Sequence, residues 1–197
     1  SPGACSLSPH IVSRELGLDV PLDKVDFASG RTESGKDFTA INPKGYVPAL
    51  ELDDGTLLTE GAVIVQYLAD RAPEKGLLPR PGTIERYRAQ EWLNYIATEV
   101  HKGFSPLWGD GSDEVKQAAR DALAPMFAFL EQALTGKTYL LGDAFSVIDA
   151  YLFTVLSWAA YTKTTLPAGL NDYLGRVAER PAVQAALRAE GLVGAKA

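Results

Sequence analysis

The chain has 197 residues, 46% apolar and 22% charged, with a formal charge of −6 from 19 basic and 25 acidic side chains. That balance supports a buried core and excludes a disordered or low-complexity chain. Because Lys and Arg never cluster, nothing neutralises a phosphate backbone, and nucleic acid is not an expected partner. One cysteine and two histidines supply neither a disulfide framework nor a spaced ligand set, so no metal is expected and a reducing, cytoplasmic setting fits. The most apolar stretch, 150–162, is too short to span a bilayer and contains Thr154 and Ser157. It reads as a core helix, and no membrane segment is expected.

In chain order, Ser8, Pro9 and Gly17 frame a helix over 8–17, since Ser caps a helix start, Pro suits its first turn and Gly ends it. Residues 20–27 alternate weakly, as a strand would. The runs 47–52 and 56–58 flank Asp53-Asp54-Gly55 and predict a hairpin with an Asp-Gly turn. A second helix follows over 59–68. Residues 73–82 hold three prolines and two glycines and break both periodicities. They divide the chain into an α/β unit over 1–75, a linker over 76–82 and an all-α unit over 83–197. Helices are predicted over 85–102, 113–134, 148–161 and 171–180, with a short one after Pro181. Ser146 and Asp149 have capping-box spacing ahead of the most apolar helix, a structural device worth about 1 kcal/mol.

A lone cysteine is most often a small buried hydrophobe. Cys5, however, stands just before a predicted helix start, where free amides and the helix dipole favour a thiolate. Its setting is C-x-x-S. With no resolving thiol, disulfide chemistry at Cys5 must pass through a mixed disulfide with an outside, small thiol. Val47 precedes Pro48, which drives it extended; a cis Pro48 would turn the backbone edge of Val47 toward the Cys5 loop, ready to pair with an extended peptide. Glu60 and Gly61 open the next helix, and its free amides with the Glu60 carboxylate would match a zwitterionic head, although taken alone they read first as capping, since Glu in a first turn needs no ligand to explain it. Further on, Trp92, Leu93, Ile96 and Val100 share an apolar face, while Asn94, Thr98 and His101 form a polar stripe opposite. That stripe is either solvated surface or one wall of a cleft. His10 reads as structural.

The linked segments SPGACSLSPH (1–10), TESGKDF (32–38), INPKGYVP (41–48), LTEG (58–61), EWLN (91–94) and EVHK (99–102) closely resemble the bacterial beta-class glutathione transferases. The similarity runs through AEGL at 189–192. It implies a thioredoxin-like N-terminal domain lacking its first strand here, an all-helical C-terminal domain and a homodimer. Glutathione is the implied co-substrate and a small hydrophobic electrophile the second partner, in a pocket drawn from Phe104, Leu107, Trp108 and Trp158. By the same resemblance, Cys5 faces the glutathione sulfur and Val47 pairs with the cysteinyl unit. Glu60 and Gly61 hold the γ-glutamyl end, and Asn94, Thr98 and His101 line the site, with Cys5 and His101 the catalytic candidates. The pattern departs at Gly30, where family members often place a Lys toward the glycyl carboxylate; Arg31 stands beside it. Two other activities fit the same residues: glutathione-dependent thiol-disulfide exchange through Cys5, and non-catalytic ligand binding on the same fold.

Overall fold

The computed structural model describes residues 1–193. Helix α1 spans Leu7–Leu16 and begins ahead of the expected cap, with Ser6 in the N-cap position. Ser8 lies inside the helix and donates its hydroxyl to the Cys5 carbonyl at 2.8 Å. Gly17 adopts φ 71° and ends the helix as its sequence position predicts.

The strand predicted over 20–27 shrinks to its far end. Strand β1 is Val25–Asp26, paired antiparallel with β2, Arg31–Thr32. Side chains compete with a longer ladder: Asp23 accepts from the Ser34 amide and hydroxyl, and Asp26 from the Ala28 amide and the Ser29 hydroxyl. Asp37 then caps a four-residue helix, α2 at Phe38–Ile41, which local periodicity did not reveal. The Asp-Gly hairpin forms with β3 at Ala49–Glu51 and β4 at Leu57–Thr59. Helix α3, Gly61–Asp70, follows directly. Among the described residues the strands form two separate antiparallel pairs, and no further strand bridges them.

The helical half comprises α4 (Ile84–Tyr95), α5 (Asp113–Leu134), α6 (Val147–Thr162), α7 (Ala168–Ala178) and α8 (Pro181–Ala189). The helix expected to run unbroken over 85–102 instead passes from α4 into a π-turn at Ile96–His101. Helix α7 starts earlier than its pattern suggested, because Glu131 on α5 accepts the Gly169 amide at 2.8 Å. Largely apolar all round, α6 is buried through Val147–Leu156, and exposed side chains come only near its end, at Ala160 and Tyr161. Helix α1 packs against α3, α6 and α8, so one core of buried apolar side chains runs through both halves.

The Ser146 amide and hydroxyl both donate to Asp149 Oδ2, at 2.9 and 2.6 Å. Asp149 Oδ1 accepts the Leu140 amide at 3.1 Å and the Tyr173 hydroxyl at 2.9 Å. What reads locally as a cap is a buried hub tying α6 to α7 and to the preceding turn. No described helix is long and apolar enough to cross a membrane.

Candidate active site

Four segments meet around Cys5. The loop before α1 carries the thiol, and its Sγ donates to the Val47 carbonyl at 3.1 Å. The Val47–Pro48 peptide is cis, so the turn before β3 brings its backbone to that loop as the sequence suggested. Pro48 also reaches the start of α3: a Cβ built on Gly61 would sit 3.7 Å from Pro48 Cγ and 3.7 Å from Ser8 Oγ. The fourth segment is the π-turn, which delivers His101.

Burial pushes the Cys5 thiol above its usual range, against the pull of its own amide, the Ser6 amide and Lys102. This outcome differs from the thiolate expected at a helix start, because desolvation outweighs the amides. The amides of Cys5 and Ser6 still act on that sulfur position, and among the described residues neither donates to a backbone carbonyl.

At the mouth of α3, Glu60 holds φ 71°, ψ 114°. Few non-glycine residues take such a conformation, which stores strain on the order of 1–3 kcal/mol. Its Oε1 accepts from Lys44 Nζ at 2.9 Å and from the Tyr46 hydroxyl at 2.7 Å. These two bonds hold the carboxylate below its ordinary pKa. The Gly61 and Ala62 amides, which open α3, find no acceptor among the described residues. An anion there would meet two unspent donors and the helix dipole.

The π-turn changes the reading of the polar stripe. Thr98 bonds back to the Asn94 carbonyl at 3.1 Å and to Glu99 Oε1 at 2.9 Å, and both Asn94 and Thr98 are exposed. No hydrogen bond among the described residues joins either of them to the Cys5 or Glu60 segments. His101 turns inward instead. Its Nδ1 lies 2.9 Å from the Tyr151 hydroxyl on α6, and its ring meets Trp158 edge-to-face at 4.8 Å. Burial, then Lys102, lowers its pKa to about 4, so the imidazole is neutral at pH 7.

Trp158 also contacts Phe104 and Trp108 and donates Nε1 to the Gly3 carbonyl at 2.8 Å. Three of the four expected pocket residues thus share one aromatic cluster beside the Cys5 loop. Leu107 is buried in the same short segment. Sequence reasoning missed Lys44, Tyr46, Tyr151 and Lys102 as neighbours of the site. Of these, Lys44, Tyr46 and Lys102 stood inside segments already singled out; Tyr151 lay hidden in the apolar helix.

His10 is structural, as expected, with Nδ1 2.8 Å from Glu190 Oε1. Glu190 also accepts the Gly3 amide at 2.8 Å, so the end of α8 holds the Cys5 loop. Arg31 donates to Gly35 within its own hairpin, at 2.8 Å. Among the described residues no group of three His, Cys, Asp or Glu side chains is placed to hold a metal ion.

A thioredoxin-like sheet unit joined to a helical bundle, with a thiol loop, a cis-proline turn and an open helix mouth in one cleft, defines the class of the glutathione transferases. Family models confirm it. One described as glutathione S-transferase, N-terminal domain, matches residues 3–71, and one described as glutathione S-transferase, C-terminal domain, matches 113–189. Glutathione S-transferase GstA of Escherichia coli O157:H7 is 52% identical over 195 residues, covering 97% of this chain and 96% of that protein. The structure of a sphingomonad glutathione S-transferase complexed with glutathione aligns with TM-score 0.93 and 47% identity, over 98% of this chain and 97% of that one. The bacterial beta-class enzyme of Sphingomonas chungbukensis aligns with TM-score 0.92 and 46% identity, over 98% of each chain. The chain belongs to the glutathione S-transferase family and resembles its bacterial beta class.

Proposed function

We propose that this chain is a glutathione transferase, joining the sulfur of glutathione to a small hydrophobic electrophile. In that reaction a sulfur–carbon bond forms, the electrophile's leaving group departs with its electron pair, and the thiol proton passes to solvent. The convergence of Cys5 on the Val47 carbonyl, beside the Cys5 and Ser6 amides that face this sulfur position and the unspent amides of Gly61 and Ala62 among the described residues, carries this reading. Donors at Cys5 and Ser6 would stabilise the sulfur anion. Gly61 and Ala62, with the Glu60 carboxylate alongside, would take the zwitterionic γ-glutamyl end. The Trp158, Phe104 and Trp108 cluster would receive the apolar electrophile. Residues 1–75 would then supply the glutathione site and 83–197 the electrophile wall. Asn94 and Thr98 would contribute at its rim, with Cys5 and His101 nearest the reacting sulfur.

Thiol-disulfide exchange is the weaker reading, because a buried Cys5 held as a thiol is a poor nucleophile at neutral pH. A reducing cytoplasm suits a chain with a single cysteine. Val63 on α3, Ile84 and Tyr87 on α4 and Phe129 on α5 remain exposed, and they would serve a homodimer. Cys5→Ala tests the central reading. It should retain conjugation of a chloro-nitro aromatic with glutathione and lose any reduction of glutathione mixed disulfides. Absence of binding heat from the wild-type protein with millimolar glutathione would sink the proposal.

A further inference from the structure

Between α6 and the π-turn lies a contact that the reaction just described leaves unused. Tyr151 is only 3% exposed, and among the described residues its hydroxyl has one hydrogen-bond partner, His101 Nδ1 at 2.9 Å. A phenol carries a single proton and a neutral imidazole a single N–H, so either group could be the donor. If His101 donated from Nδ1, the buried phenolic proton would be left without an acceptor, which is unfavourable for a buried polar group. If Tyr151 donates, its proton is used and the Nδ1 lone pair is satisfied.

We infer that Tyr151 is a positioning residue which, by donating to Nδ1, fixes His101 in the tautomer that carries its proton on Nε2 and presents that N–H to the cleft. The inference rests on the placement of His101 in the glutathione site proposed above. Two environmental effects agree with it. Burial raises the phenol pKa, keeping the donor protonated, and burial keeps the imidazole neutral. Trp158, edge-on to the His101 ring at 4.8 Å and anchored to the Gly3 carbonyl, restricts the other side. Nε2 has no protein partner among the described residues and is not fully buried, so it reaches accessible space.

The chemical consequence is specific. With a proton already on Nε2, His101 has no lone pair facing the cleft and cannot take the glutathione proton there. It serves as a neutral donor toward a sulfur anion or toward the charge developing on a leaving group. His10 shows the opposite arrangement: Nδ1 faces the Glu190 carboxylate, an acceptor, and Nε2 receives Arg14 Nε–H at 3.4 Å. The protein's two histidines therefore carry their protons on different nitrogens.

Long-range proton–nitrogen NMR of the 15N-labelled protein at pH 7.5 reads this directly. Expected are one Nδ1–H imidazole, from His10, and one Nε2–H imidazole, from His101, assigned by the loss of one set in His101→Asn. Tyr151→Phe should redistribute the His101 proton between its nitrogens and leave His10 unchanged. It should also lower kcat for conjugation about tenfold, the loss of one well-aimed hydrogen bond, with KM for glutathione unchanged. An Nδ1–H pattern for His101 in the wild type overturns the inference whether or not the variant folds. So does an unaltered tautomer in Tyr151→Phe, or a redistributed tautomer with full kcat. Failure of the glutathione reading would look different, since it would appear as wild-type protein without conjugation or glutathione-induced shifts.

Discussion

Helices α6 and α3 begin in opposite ways. At α6 the Asp149 carboxylate takes the Ser146 amide, the Ser146 hydroxyl, the Leu140 amide and the Tyr173 hydroxyl, and both Ser146 and Asp149 are buried. At α3 the first two amides are unspent, the preceding Glu60 is strained at φ 71°, and its carboxylate bonds to exposed Lys44 and Tyr46. One start is closed upon itself and serves the core. The other is held open, and its unmet donors are what a ligand would need.

Substitutions at the two starts should therefore separate stability from binding. Asp149→Ala strands buried donors on three segments and should cost about 3–5 kcal/mol in urea unfolding, with glutathione affinity of the folded fraction little changed. Comparable destabilisation from Glu60→Ala would break the distinction. Glu60→Gly should do the reverse. By relaxing the positive φ it should hold or raise stability by about 1 kcal/mol, while KM for glutathione rises about tenfold. Steady-state kinetics beside denaturant melts decides this, and an unchanged KM would remove Glu60 from the site.

A third effect concerns acid. The neutral, half-buried His101 has a folded pKa of about 4 against an ordinary 6.5, so the unfolded chain binds the proton first. Stability should be complete above pH 6.5 and decline as pH falls from 6.5 toward 4. His101→Asn should flatten that part of the stability–pH curve, and an unchanged slope would contradict the neutral state of His101.

What could be read from sequence follows the same divide. The Asp149 cap was legible because its partners lie three residues apart, as was the 113–134 helix, whose Ser112 cap and apolar stripe are local. The hairpin and the Cys5–Val47 approach were legible through turn chemistry and family motifs. Three features were not. The π-turn replaces a uniform 3.6-residue period that no local residue forbids, and it carries His101 off the Asn94 and Thr98 stripe. Tyr151 meets His101 across fifty positions, from within a run that periodicity marks only as core. The Cys5 pKa depends on how deeply the loop is buried, which its neighbours in the chain do not encode. The 20–27 strand was over-read because Asp23 and Asp26 satisfy nearby groups with side chains.

Glu190 grips Gly3 and His10, while Trp158 grips the Gly3 carbonyl from α6. The thiol loop is thus a keystone set by residues drawn from far along the polypeptide. Proteolytic nicking or a bulky fusion beside Glu190 would consequently be felt at the sulfur, and an assay of such material would report a loosened hinge at Gly3 rather than any fault in the chemistry itself.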